Sequence, residues 1–293
     1  MLEARPVVLS SPLSRGFPWP APAKLNLFLH VTGRRANGYH ELQTLFQFVD
    51  VGDSLHITPR GDQELKLSGA PADLAGEDNL ILRAARLLRQ ASGVPLGAEI
   101  HLRKQIPVGG GLGGGSSDAA TTLVALNRLW NLGFPLHELA ELGLQLGADV
   151  PVFVRGQAAW AESLGERLTP VDIEQPWYLI LTPPVQVSTA EIFGAPELRR
   201  DHPRVQLADY LAGRCDNDCT PVTLARYPLV GEALSWLNQH APARMSGTGA
   251  SVFAAFANEA AAHRIARQVP RSWHSIVARG CNRSPLLEVI DRS

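Results

Sequence analysis

The sequence predicts an α+β fold built as two domains, on three observations. Its 293 residues, at roughly 150 per domain, suffice for about two. In the first half, strand-like runs cluster ahead of the helices instead of alternating with them, which disfavours a doubly wound parallel sheet. Past residue 160 the texture changes: Pro170, Pro176, Pro183 and Pro184 interrupt the chain, and a proline-containing polar region runs from Ala195 to Pro221. The boundary is therefore placed near residue 160. Residues 1–160 with a terminal strand at about 276–293 form one domain, and residues 161–275 the other.

The first expected element is a strand from Lys24 to Val31, where Leu25, Leu27, Leu29 and Val31 alternate with Lys24, Asn26, Phe28 and His30. Gly33 and the Asn37-Gly38 pair mark a turn. Shorter strands follow at Leu45–Val51, Ser54–Thr58 and Glu64–Ser68. Asp78 or Asn79 caps a helix striped with Leu80, Ala84, Leu87 and Leu88 that ends near Gly93. Ala98 to Lys104 alternates again, and a glycine run follows. Ser116 or Ser117 then opens a helix reaching Trp130, and a further helix from about Leu136 to Leu146 stops at Gly147. In the second half the pattern gives a helix around Val230–Gln239, a glycine turn at Ser246–Ser251, and a strand at Val252–Phe256. A helix at Asn258–Gln268 and a strand at about Ser275–Cys281, returning to the first domain, complete the chain.

Composition excludes several classes of function. Hydrophobic residues make up 45% and charged residues 19%, an ordinary balance for a globular core. With 27 basic and 28 acidic side chains the net charge is −1, which argues against a nucleic-acid partner. No apolar run reaches the roughly 18 residues of a membrane span, and the proline-broken start lacks a secretory signal, so a membrane partner is not expected. The residues up to about Pro18 read as a loose leader. Three cysteines point to a reducing, cytoplasmic setting. Cys215 and Cys219 lie four apart, but no second pair completes a zinc site.

The 26 glycines are unevenly spread: six occupy the seven positions from 109 to 115. The run comprises Pro107, Val108, Gly109, Gly110, Gly111, Leu112, Gly113, Gly114, Gly115, Ser116 and Ser117, between a strand and a helix. Glycines there admit positive φ and let a ligand approach bare backbone, while the following helix points free amides and its positive dipole end at the loop. This points to a phosphate site rather than a flexible linker, since such linkers are rarely bracketed by Ile106-Pro107 and an amphipathic helix. A dinucleotide fold is disfavoured, because the loop follows several strands and Phe134, Pro135, Leu136 and His137 stand where its acidic residue belongs. A Walker loop is disfavoured because no lysine precedes Ser116. The chain holds only Lys24, Lys66 and Lys104.

The run resembles the second motif of the GHMP kinases, which bind ATP phosphates without a Walker loop. The stretch from Pro22 to Leu27 is similar to their first motif, and Ser246 to Ala250 to their third. Gly38 to Glu41 and Leu146 to Pro151 resemble the branch of the family whose substrate carries a cytidine diphosphate group. The resemblance spans residues 19–290. It implies two domains with a deep cleft between them, and ATP with Mg2+ as co-substrate with no tightly bound cofactor. It also implies a small-molecule cytidine diphosphate acceptor.

The same resemblance implies residue roles. Lys24 and Asn26, on one face of the first strand, line the acceptor hydroxyl. Asp149 is the general base, held ionised by Lys24, which also stabilises the developing alkoxide. Asn79 and Lys104 add contacts near ATP. Tyr39, His40 and Phe193 form the cytosine end, where an aromatic face stacks and a histidine reads a polar edge, and Thr189 contacts the acceptor. The metal ligands stay open, and Asp118 receives no role. Two alternatives remain: another GHMP enzyme acting on a sugar, homoserine or a mevalonate derivative, and a non-catalytic nucleotide-binding module.

Overall fold

In a computed structural model of the chain, residues 18–36 and 38–291 are described. Asn37 of the expected turn, and the leader before Pro18, lie outside them. The first two strands, β1 (Trp19–Arg34) and β2 (His40–Arg60), pair antiparallel. The two strands expected at 45–51 and 54–58 are one: β2 runs through Gly52, where a side chain would strike Ala21 O at 2.3 Å. The polar set of β1 is not a solvent face. Lys24, Asn26 and His30 are as buried as Leu25 and Val31.

β3 (Leu65–Ser68) and β4 (Gly97–Arg103) flank α1 (Leu80–Ser92). Helix α1 starts where Asn79 Oδ1 accepts the Ile81 amide at 2.8 Å, and it ends on Gly93 at φ 70°. Then come α2 (Gly114–Leu129), α3 (Leu136–Leu144) and α4 (Val150–Arg155), followed by the hairpin β5 (Ala159–Ser163) and β6 (Arg167–Pro170). That hairpin pairs with β2, so residues 161–170 pack on the first part of the chain.

Next along the chain are β7 (Trp177–Thr182), α5 (Thr189–Gly194), α6 (Leu207–Leu211), α7 (Thr220–Arg226), α8 (Pro228–Asn238), β8 (Ala243–Met245), β9 (Val252–Phe256), α9 (Glu259–Ala266) and β10 (His274–Cys281). The chain then closes with a helix, α10 (Pro285–Asp291), in place of a strand continuing to residue 293. Its Leu287 fills the space beside Gly156.

One continuous sheet, in the order β3-β4-β2-β10-β7-β9-β8, joins both parts, with β1 and β5 also on β2. All of its pairings are antiparallel except β3 with β4, which bears out the α+β class. The joint is β10: His274 to Arg279 pair with β7, then Gly280 and Cys281 pair with Val49 and Phe48. A second tie runs from β1 to the polar region. Asp218 accepts the Val31 amide at 2.8 Å and holds His202, whose ring stacks on His30. That region, for which the sequence pattern gives no elements, carries α6, and α7 begins at its end. No helix among the described residues is long and apolar enough to cross a membrane.

The main core lies between the sheet and α1, α2, α4 and α10, and includes Phe48 edge-on to Phe153 at 5.7 Å. Phe48 lies opposite Lys24 on β1 and Cys281 on β10. Phe48→Ala should therefore lower unfolding free energy by about 3–5 kcal/mol. Urea denaturation checks this; a loss under about 1 kcal/mol would mean that the β1–β2–β10 junction does not depend on this ring.

Candidate active site

A cavity of about 1270 Å³ collects nearly every residue singled out above. Lys24, Asn26, Tyr39, His40, Asn79, Lys104, Pro107 to Ser116, Asp149, Thr189 and Phe193 all line it. Ser117 does not. It is fully buried, and its hydroxyl donates to Pro22 O at 2.7 Å, tying α2 to β1.

The glycine run folds as a tight arch. Gly109, Gly111 and Gly113 take φ of 69°, 73° and 74°, conformations open to glycine at little cost. The turn 246–251 clamps the arch from below. Ser251 N–H donates to Gly110 O at 3.0 Å, Ala250 N–H to Gly109 O at 3.3 Å, and the Ser246 hydroxyl to Gly111 O at 3.0 Å. A Cβ at Gly111 would sit 2.3 Å from Ser246 O, so only glycine fits. Helix α2 begins at Gly114, with Gly113 as its cap, rather than at Ser116 or Ser117. The unpaired amides of its first turn consequently lie within the glycine run itself. At Gly113 a side chain would meet Phe153 at 2.7 Å and Lys24 Cε at 3.1 Å.

Lys24 sits under this arch, 3% exposed. Its ammonium donates to Asn26 Oδ1 and to Gly111 O (3.3 Å), lies 3.3 Å from Asp149 Oδ2, and stands 5.2 Å over the Phe46 ring. Asn26 is fixed in turn: its Nδ2 donates to Thr44 Oγ1 at 2.9 Å, and its amide to Ser246 Oγ at 3.1 Å. Asp149 immediately precedes α4 and is 35% exposed, so its carboxylate reaches the cavity while its counter-charge stays covered.

Lys104 stands between two carboxylates, Asp53 at 2.5 Å and Asp118 at 2.9 Å. Asp53 also accepts the Gln105 and Ile106 amides, fixing the approach to the run. Burial disfavours the Lys104 ammonium, but Asp118 and Asp53 outweigh it and hold its pKa above the ordinary value. Burial, with Asp53 beside it, pushes the Asp118 carboxyl up to about 7, and its Oδ1 has no hydrogen-bond partner. Sequence reasoning misses Asp53, which meets Lys104 across 51 positions, and gives no role to Asp118, although it lies only 14 positions from Lys104. Asn79 lines the cavity with its amide already engaged, donating to Leu74 O at 2.7 Å while it caps α1.

At the opposite end His40 stacks on Phe193, with ring centroids 5.2 Å apart and planes 27° apart. Thr189 and Phe193 are one turn apart on α5, which puts both on one face. Thr189 Oγ1 pairs with Thr248 Oγ1 at 3.1 Å. Tyr39 is 62% exposed at the rim. Cys215 and Cys219 are free and buried, and no cluster of three metal-ligating side chains occurs among the described residues.

A glycine arch over a lysine–aspartate pair, on a largely antiparallel two-part sheet, defines a class. The chain belongs to the GHMP kinase family: residues 79–157 match the model of the GHMP kinases N terminal domain, and residues 195–275 that of the GHMP kinases C terminal. Among relatives, the 4-diphosphocytidyl-2-C-methyl-D-erythritol kinase of Nitrosococcus oceani is 54% identical over 279 residues, covering 94% of this chain and 98% of that protein. The protein of the same name from Pseudomonas paraeruginosa is 56% identical over 267 residues, covering 91% of this chain and 95% of that one. A crystal structure of 4-(cytidine 5'-diphospho)-2C-methyl-D-erythritol kinase superposes with a TM-score of 0.79 at 32% identity, over 90% of this chain and 99% of that one. The Methanococcus jannaschii mevalonate kinase, at 17% identity and a TM-score of 0.66 over 92% of this chain and 100% of that one, shares the fold.

Gly111→Ala should abolish turnover and weaken ATP binding at least about tenfold, since the clash must move either the arch or its clamp. Calorimetric titration with ATP checks this; wild-type affinity would contradict it. Asp118 makes stability depend on pH. Folding raises its pKa from 3.8 to about 7, so the native chain keeps a proton that the unfolded chain releases. Its stability contribution is then full at the acid end and is lost as pH rises from about 4 to 7. Asp118→Asn, which cannot titrate, should gain stability relative to wild type between pH 4.5 and 7.5. Urea midpoints measure the gap, and a constant gap would contradict the shift.

Proposed function

We infer that the chain is an ATP-dependent small-molecule kinase that phosphorylates the 2-position hydroxyl of 4-diphosphocytidyl-2-C-methyl-D-erythritol, a step of non-mevalonate isoprenoid precursor synthesis. The observation that carries this reading is the Lys24–Asp149 pair, 3.3 Å apart, in one cavity with the glycine arch and the His40–Phe193 stack. Relatives at 54% and 56% identity that bear this substrate in their names support it.

In this reading Asp149 takes the hydroxyl proton as the phosphoryl group leaves ATP. Lys24 balances the carboxylate before transfer and the alkoxide during it. Asn26 holds the Lys24 ammonium in place and offers the acceptor its polar edge. Phosphoryl transfer asks little covalent chemistry of a protein, so alignment and charge stabilisation carry the acceleration. The backbone amides from Val108 to Ser116 cradle the phosphates, with Asn79 and Lys104 beside them, and Pro107, which has no N–H to give, leads the chain into the cradle. Tyr39, His40, Thr189 and Phe193 hold the cytidine end. We place the nucleotide on residues 1–160 and the acceptor between the two parts, held by Tyr39 and His40 of the first and by Thr189 and Phe193 within 161–275. The residues suit a magnesium ion carried in on the phosphates, which it would charge-neutralise. Ser116 is the hydroxyl available to it, since Ser117 is engaged by Pro22 O. A cytoplasmic setting fits three free cysteines.

The competing reading, a kinase for a sugar, homoserine or mevalonate, gives the aromatic end no ligand. Coupled ADP-release assays decide between them. The cytidyl substrate should exceed the same polyol without its cytidine diphosphate by at least roughly a hundredfold in kcat/KM, with homoserine, galactose and mevalonate inert. Turnover indifferent to the cytidyl group would overturn the assignment.

A further inference from the structure

The turn after α5 contains an arginine to which neither motif nor pattern draws attention. Arg200 Nε–H donates to His40 Nε2 at 3.0 Å. A guanidinium has donors only, so His40 Nε2 must present a lone pair. The one proton of a neutral imidazole then resides on Nδ1.

Arg200 is itself immobilised. Its terminal nitrogens donate to the carbonyls of Leu198 (2.9 Å), Ala195 (2.5 Å) and Phe193 (3.1 Å). The guanidinium thus binds the turn that follows Phe193 and the ring that stacks on Phe193 at the same time. Ring plane and proton position in His40 are both set before any ligand arrives. Charging the ring is opposed as well: burial, Arg200 and Arg34 all hold the His40 pKa below its ordinary value.

We propose that Arg200 is the positioning residue that locks His40 as the neutral Nδ1–H tautomer, so that the cavity presents a fixed donor and prefers cytosine over uracil. The selectivity rests on the cytidyl-substrate reading; the tautomer lock does not. Cytosine carries an unprotonated ring nitrogen, a plain acceptor, where uracil carries an N–H. A ring free to exchange tautomers could serve either base, at the cost of selecting its form on binding. A ring held by Arg200 serves the acceptor and leaves the N–H of uracil facing another donor, a mismatch of the kind that binding sites use to reject a wrong ligand.

Two measurements test this. Long-range 1H–15N spectra of the uniformly labelled protein at pH 7.5, with the His40 signals assigned by their loss in His40→Gln, should show wild-type Nδ1 protonated and Nε2 unprotonated. In Arg200→Gln the Nε2–H form should become the major one. An Nε2-protonated or doubly protonated His40 in the wild type overturns the lock on its own, whether or not Arg200→Gln folds. In kinetics, Arg200→Gln should raise KM for the cytidyl substrate about tenfold, with kcat and KM for ATP nearly unchanged. It should also shrink the kcat/KM preference for the cytidyl over the uridyl analogue by about the same factor. An unchanged preference overturns the selectivity. If the wild type fails to turn over the cytidyl substrate while His40 remains Nδ1-protonated, the functional reading falls with the selectivity, and the lock stands.

Discussion

A lysine ammonium at 3% exposure needs partners, because a charge removed from water without compensation costs several kcal/mol. Lys24 finds them on three separate elements: Asn26 on its own strand, the Gly111 carbonyl of the arch, and Asp149 at the start of α4. Each requirement propagates. The Asn26 side chain is oriented by Thr44 and its backbone by Ser246, which also holds Gly111. Gly113 lacks a side chain because Lys24 and Phe153 fill the space. The buried charge therefore sets the spacing of β1, the arch and α4 at once. Of the charges grouped there, only the Asp149 carboxylate is substantially exposed, which is where a proton acceptor has to be.

The same economy explains how a chain of net charge −1 with three lysines can hold a polyphosphate. In the proposed reading its cradle is backbone, given direction by α2 and made rigid by hydrogen bonds from the 246–251 turn. Rigidity matters as much as charge, because six flexible glycines would otherwise lose their conformational entropy on binding. The turn that carries the third family motif thus works through the second: each of its three hydrogen bonds to the arch goes to a carbonyl, a group for which an anionic phosphate has no use. Lys104 supplies the neighbouring positive charge, and its two carboxylates keep it protonated and in place.

Signals in the sequence are legible where their physics is local. Asn79 and Asn258 cap their helices, Gly93 ends one, and the apolar run at Val252–Phe256 is a strand. The residues of the motifs converge on one cavity because a motif marks backbone that must approach a ligand. What escapes has partners distant in sequence. Asp53 meets Lys104 across 51 positions, and Arg200 meets His40 across 160. The early start of α2 at Gly114 is hidden because glycines are poor helix formers in isolation, while Lys24 and Lys104 leave no room for side chains at Gly113 and Gly114. The short helix α4, opening with Val150 and Pro151, carries too few residues to show a period. The polar residues of β1 look like a solvent face, but Lys24 and Asn26 line the cavity while His30 is buried against His202.

The central claim is that Asp149 is the proton acceptor, served by Lys24. Asp149→Asn keeps the shape and removes the base. Turnover by coupled ADP release, measured beside ATP affinity by calorimetry on the same preparation, isolates that role. The expected result is a fall in kcat of at least about a hundredfold with ATP affinity within about twofold of wild type. Near-wild-type turnover in that variant would contradict it.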